Sequence, residues 1–150
     1  MTKLIIDADT GSDDAVAILM AYRNLSEKDI LGVTIVSGNV PLDQGLLNTI
    51  FVNELCDVNV PIYKGANKPL ERDYVEVYKT EEANKIALSY ENYSTSAQHV
   101  HGVDGLGDIG IKPKGNNIEK ETAQEFYSMV LDSEDELEIV TLGPLTNIAE

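Results

Sequence analysis

Four aspartates, Asp7, Asp9, Asp13 and Asp14, fall within eight residues between two apolar stretches, Leu4-Ile5-Ile6 and Ala15 to Ala21. The first stretch is rich in β-branched residues, Gly11 supplies a turn, and the second is made of good helix formers. The pattern reads as buried strand, tight turn and buried helix. The carboxylates are thereby crowded onto one loop at the carboxyl end of a strand, where open α/β sheets bind their ligands. Like charges so close raise one another's pKa unless a cation or hydrogen-bond donors offset them. A hard divalent cation meets that need, and calcium tolerates the irregular coordination that loop carboxylates and a backbone carbonyl provide. The plainer explanation is capping, since Ser12, Asp13 and Asp14 suit the positive end of a helix without any metal. Capping leaves Asp7 and Asp9 unexplained.

The rest of the chain repeats the alternation. Ile30 to Val36 is a second near-continuous apolar run, the signature of a strand buried on both faces in a parallel sheet. Leu46, Leu47, Ile50, Phe51 and Leu55 recur at helical spacing, and Val58 to Tyr63 reads as a short third strand. Asn117 to Glu121 lead into a helix that carries Ala123, Phe126, Tyr127, Val130 and Leu131 on one face. Leu137 to Leu142 is a further strand, and Pro144 suits the start of a last helix. This order predicts an α/β fold, a Rossmann-like, mostly parallel sheet with helices on both faces. Residues 66–98 lack a period and read as an insertion or long loop with one helix around residues 81–89. The sequence ends inside the last helix without a C-cap signal, so residues 1–150 are expected to form the amino-terminal part of a single domain.

Charge narrows the partners. Eleven basic against 26 acidic residues give a formal net charge of -15, a field that repels phosphate backbones and anionic lipid. Nucleic acid and membrane surfaces are therefore excluded as expected partners, and a neutral or cationic small molecule is retained. No apolar stretch approaches the roughly 18 to 20 residues of a membrane span, and no signal-peptide pattern opens the chain, which predicts a cytoplasmic location. The single cysteine, Cys56, falls near the end of an apolar helix and reads as a small core side chain.

Two further segments end strands or carry unusual composition. Ser37-Gly38-Asn39 follows the second strand, where Asn39 either points its amide into the crevice of the acidic turn or serves as an ordinary turn residue. Residues 99–108, HVHGVDGLGD, hold both histidines of the chain and three glycines, a density that marks close turns or close approach to a ligand.

Three separated blocks, Asp7 to Ala15, His101 to Gly107 and Leu142 to Ala149, together with Ser37-Gly38-Asn39, resemble the signature blocks of the inosine-uridine preferring nucleoside hydrolases, in the family's order. The resemblance implies calcium-dependent hydrolysis of the N-glycosidic bond of ribonucleosides to ribose and free base, with a place in purine and pyrimidine salvage. It makes Asp9 both a calcium ligand and the general base. Asp14 becomes a second calcium ligand, and Leu142 lends its main-chain oxygen as a third. Asp13 would accept a hydrogen bond from a ribose hydroxyl, Asn39 would lie near the attacking water and the sugar, and His101 near the nucleoside. Asp7 is left behind the turn as a carboxylate that orients it. The full-length form is expected to be a homo-oligomer. Thr10 departs from the family, which has proline there. Family members are longer, and their later half supplies a last metal-binding aspartate, a catalytic histidine and an asparagine-glutamate segment that have no counterpart in this sequence.

Two other readings compete. The chain as it stands is an inactive metal-binding fragment of such an enzyme. Alternatively, Asp7-Ala8-Asp9 resembles the nucleophile turn of magnesium-dependent haloacid-dehalogenase-type phosphatases, with Asp7 as nucleophile. Gly11, where that family has threonine or valine, speaks against the second.

Overall fold

The computed structural model describes residues 2–70, 97–132 and 136–150. Its frame is a five-stranded, all-parallel sheet in the order β4-β3-β2-β1-β5. The strands are β1 (Lys3–Ala8), β2 (Ile30–Ile35), β3 (Ile62–Lys64), β4 (Ile118–Thr122) and β5 (Leu137–Thr141). The longer helices are α1 (Ser12–Asn24), α2 (Leu42–Cys56) and α4 (Ala123–Leu131), and the short ones α3 (Gln98–His101) and α5 (Thr146–Ala149).

The near-continuous apolar runs are explained by their position. β1 pairs β2 on one side, Ile6 opposite Val33 and Asp7 opposite Thr34, and β5 on the other, Ile5 opposite Ile139. Alternation then sends Ile6 and Ala8 to one face, into a cluster with Ile18 and Tyr22 of α1 and Leu42, Leu46 and Ile50 of α2. Ile5 goes to the other face, with Tyr63, Ala123, Phe126 and Tyr127. There the rings of Tyr63 and Phe126 stack, 3.8 Å between centroids and 8° between planes. Cys56 is half-buried and packs at the margin of the first cluster, as its position on the helix suggested.

Several boundaries differ from expectation. The third strand is shorter than Val58 to Tyr63, because Val60 is instead tied to α2 by Asn53 Nδ2, which donates to its carbonyl at 2.8 Å. Residues 118–122 lead into the helix as expected, but they do so as edge strand β4, which was not expected. Their charge hides the strand pattern, since Glu119, Lys120 and Glu121 are exposed in the manner of a protected edge. The helix starts at Ala123 under a capping box, in which Thr122 accepts from the Glu125 N–H and the Glu125 carboxylate accepts from the Thr122 N–H at 2.7 Å. Pro144 lies in the turn ahead of α5 and not inside it. The helix expected around residues 81–89 lies outside the described residues. At the opposite edge β5 leaves Ile139, Val140 and the following Leu142 36%, 43% and 39% exposed.

Candidate active site

Strand β1 delivers Asp7 and Asp9 to the carboxyl edge of the sheet, and α1 begins three residues after Asp9. Gly11 is the N-cap, and its N–H donates to Asp14 Oδ2 at 2.9 Å. The capping explanation is thus correct for Asp14, whose other surroundings exceed what a cap needs. Asp9 and Asp14 are both buried, and Asn39 stands between them. Its side-chain Nδ2 donates to Asp9 Oδ1 and to Asp14 Oδ2, each at 3.2 Å, while its backbone N–H donates to Asp9 Oδ2. The close fit explains the glycines of the loops: a Cβ at Gly38 would overlap the Asp9 carboxylate, and one at Gly143 would come within 2.9 Å of Asp9 Oδ1.

Burial raises the pKa of Asp9, partly offset by the Asn39 N–H and raised further by the charge of Asp13. Burial and then the neighbouring Asp9 charge push Asp14 up to about 6. Two desolvated carboxylates, one of them raised further by the charge of the other, are short of positive charge.

Leu142 reaches the same place through its backbone, its N–H donating to the Asp7 carbonyl at 2.7 Å. Asp13 points outward, its side chain 76% exposed, and its Oδ1 lies 3.8 Å from His101 Nε2. The other nitrogen of His101 is 2.7 Å from Ser12 Oγ. The pair therefore stands at the mouth of the cleft, with Asp9, Asp14 and Asn39 at its floor. Asp7 is turned away from them. Its fully buried Oδ2 is met by Thr34 Oγ1, by Tyr127 OH at 3.1 Å and by Asn147 Nδ2 at 2.7 Å, while Oδ1 has no partner. A carboxylate enclosed in this way has no approach for a phosphate ester, which removes the phosphatase reading with Asp7 as nucleophile.

The donor set matches a hard cation in kind: two dehydrated carboxylates and an adjacent main-chain segment, all oxygen donors. Among the described residues, no group of three or more histidine, cysteine, aspartate or glutamate side chains is gathered to hold a metal.

Residues not anticipated complete the surroundings. Thr10 Oγ1 and Thr49 Oγ1 form a buried hydrogen bond at 2.8 Å. Asn48, fully buried on α2, donates from Nδ2 to the Thr10 carbonyl at 2.8 Å and to the Asp104 carbonyl at 2.9 Å. Asn147 holds Asp7 with its amide nitrogen and accepts the Ala66 N–H with its oxygen at 2.7 Å. The available signal was an asparagine or threonine inside an otherwise apolar helical stretch, where an unpaired amide would be costly.

Comparison with known proteins agrees with this geometry. The model of the family "inosine-uridine preferring nucleoside hydrolase" matches residues 4–150. The chain is 32% identical over 148 residues to a pyrimidine-specific ribonucleoside hydrolase, RihB, of Escherichia coli, covering 98% of this chain and 41% of that protein. It is 36% identical over 149 residues to uridine nucleosidase 1 of Arabidopsis thaliana, covering 98% of this chain and 38% of the relative. A solved purine-preferring ribonucleoside hydrolase from Gardnerella vaginalis superposes with a TM-score of 0.78 at 30% identity, covering 99% of this chain and 42% of that one. The chain thus spans about two fifths of the length of the curated relatives it matches. On the family match over nearly its whole length, this chain belongs to the inosine-uridine preferring nucleoside hydrolases.

Proposed function

We propose that the protein hydrolyses the N-glycosidic bond of ribonucleosides in a calcium-dependent reaction, with Asp9 as general base. The observation that carries this reading is the buried Asp9–Asp14 pair bridged by Asn39. Cleavage of an N-glycosidic bond develops positive charge at the sugar carbon, and a cleft floored by carboxylates stabilises that charge. Burial keeps Asp9 more basic than a solvated aspartate, which suits it to take a proton from the attacking water. Asn39 fixes both Asp9 oxygens and so sets the direction in which that proton is accepted. Asp13, exposed at the start of α1, is free to accept a hydrogen bond from a ribose hydroxyl. His101, beside it, would lie against the nucleoside. When bound, calcium held by Asp9, Asp14 and the Leu142 carbonyl would neutralise the pair and supply Lewis acidity toward water and the ribose hydroxyls.

The negative charge of the chain favours a neutral nucleoside over a nucleotide, a nucleic acid or a membrane surface. Among the described residues no helix is long and apolar enough to cross a membrane, which is compatible with the expected cytoplasmic place in nucleoside salvage. Assembly into a homo-oligomer belongs to the same reading.

A second reading, metal binding without turnover by the 150-residue chain, is favoured by one observation. No third acidic, histidine or cysteine side chain joins Asp9 and Asp14 among the described residues. Release of ribose from uridine and inosine, measured with calcium and with a chelator, separates the two. Turnover that needs calcium and disappears in Asp9→Asn supports hydrolysis. Absence of turnover in the presence of calcium overturns hydrolysis by this chain.

A further inference from the structure

We propose that Asn48 is a positioning residue for the site, the pin that holds the His101-bearing loop on the acidic turn. The two segments are far apart in sequence, and besides the 3.8 Å approach of Asp13 to His101 the described residues join them by hydrogen bonds in two ways. One is the exposed contact between Ser12 Oγ and His101 Nδ1 at 2.7 Å. The other is buried: the two protons of the Asn48 amide divide between the Thr10 carbonyl, in the acidic turn, and the Asp104 carbonyl, in the glycine loop. The Asn48 oxygen accepts from Gln44 Nε2 at 2.9 Å, one turn earlier on α2, which fixes which end of the amide faces the loops. All three groups of the side chain are thereby used, and the residue is fully buried.

The glycine loop arrives as a preformed piece. Asp104 Oδ1 accepts the N–H groups of Leu106 and Asp108 at 2.8 Å each, and Asp108 Oδ1 accepts that of Val103 at 2.6 Å. Gly102, Gly105 and Gly107 have φ of 77°, 79° and 77°, which lets so short a segment close on itself. A loop stapled internally in this way keeps its shape but needs an external contact to keep its place. Gly105 supplies the fit, since a Cβ there would stand 2.5 Å from Val40 Cγ1 and 3.0 Å from Asn48 Nδ2. Asn48 supplies the direction. The loop is thus registered on α2 and on Thr10, next to Asp9, and His101 is set at the cleft mouth.

Another asparagine of α2 provides the control. Asn53 is equally buried and bonds the Val60 carbonyl at 2.8 Å, away from both loops. The experiment is NMR of the histidine ring resonances in the 150-residue protein, which holds only two histidines, assigned through His99→Gln. Ser12→Ala defines the spectrum of a His101 ring that has lost its Ser12 hydrogen bond. In Asn48→Leu the His101 resonances are expected to move more than half-way toward that spectrum, and in Asn53→Leu to stay in place. Gly105→Ala, which crowds the loop off the same pin and leaves Asn48 intact, is expected to repeat the Asn48→Leu shift. Unchanged His101 resonances in Asn48→Leu, or an equal shift in Asn53→Leu, would overturn the proposal. Should Asn48→Leu not fold, an unshifted Gly105→Ala spectrum overturns it instead. The proposal rests on the functional reading only for its catalytic meaning: absence of nucleoside hydrolysis would remove that reading and leave the positional result standing.

Discussion

Asn39 clasps Asp9 at both carboxylate oxygens, its backbone N–H on Oδ2 and its side-chain Nδ2 on Oδ1 at 3.2 Å. The backbone half of the clasp survives any substitution except proline, whereas the side-chain half also carries the bond to Asp14. Asn39→Ala should therefore leave the fold intact and disturb the cleft floor. Loss of these bonds is expected to cost about 1 kcal/mol in urea unfolding, and kcat/KM for uridine to fall at least tenfold (~1.4 kcal/mol). An unchanged kcat/KM would remove Asn39 from the reacting geometry.

The raised pKa of Asp14 gives a pH dependence with a definite sign. An unfolded aspartate ionises near its ordinary value of 3.8, while folded Asp14, pushed up to about 6, holds its proton longer. Between those values the native state binds more protons, so stability falls as pH rises through the window and the loss is complete above it. Metal-free protein is predicted to have a lower urea midpoint at pH 7 than at pH 4.5. Asp14→Asn keeps an acceptor for the Gly11 N–H and should flatten that difference, and calcium should reverse it. A steeper pH dependence in the variant would contradict this assignment.

Asp7 tests a different kind of carboxylate. Its bonds go to Thr34, Tyr127 and Asn147, on β2, α4 and α5, so it ties the sheet to α4 and to the last turn on one face. Burial raises its pKa against the lowering effect of those same partners. Asp7→Leu strands three buried polar groups and is expected to cost on the order of 3 kcal/mol in urea unfolding. Asp7→Asn is expected to cost less, because its remaining oxygen can still accept from these partners. Calcium affinity should change little in Asp7→Asn, and a tenfold loss would place Asp7 among the ligands.

The two edges of the sheet predict opposite behaviour. β4 is protected by Glu119, Lys120 and Glu121, whereas β5 presents Ile139 and Val140. An apolar edge with free backbone groups invites pairing with another chain. Sedimentation is expected to show concentration-dependent association that Val140→Lys suppresses. A monomer at all concentrations would show that this edge is not used.

Much of this arrangement was legible in the residues, for reasons that also explain what was not. β1 and β2 declared themselves because strands buried on both faces cannot avoid being apolar throughout. Asp9 and Asn39 follow strands and Asp14 lies in the first turn of the helix after Asp9, which put the carboxylates on one loop, while the sequence leaves Asn39 open between the crevice and an ordinary turn. β4 was missed because an edge strand is allowed its charges, although Thr122 and Glu125 held the capping-box signal that dates the helix start to Ala123. Asn48, Thr49 and Asn147 were missed for another reason. Their roles are set by backbone carbonyls and side chains far away in sequence, which periodicity does not register. Ser12 was read as a cap but instead bonds His101, a pairing that only the folded loops reveal.

Calcium titration into metal-free protein by calorimetry, with Asp9→Ala and Asp14→Ala in parallel, tests the cleft most directly. One binding event is expected, which either substitution abolishes and Asp7→Asn retains. Binding that survives in both alanine variants, or no binding by the unsubstituted chain, would contradict the assignment of Asp9 and Asp14 as the metal-holding pair.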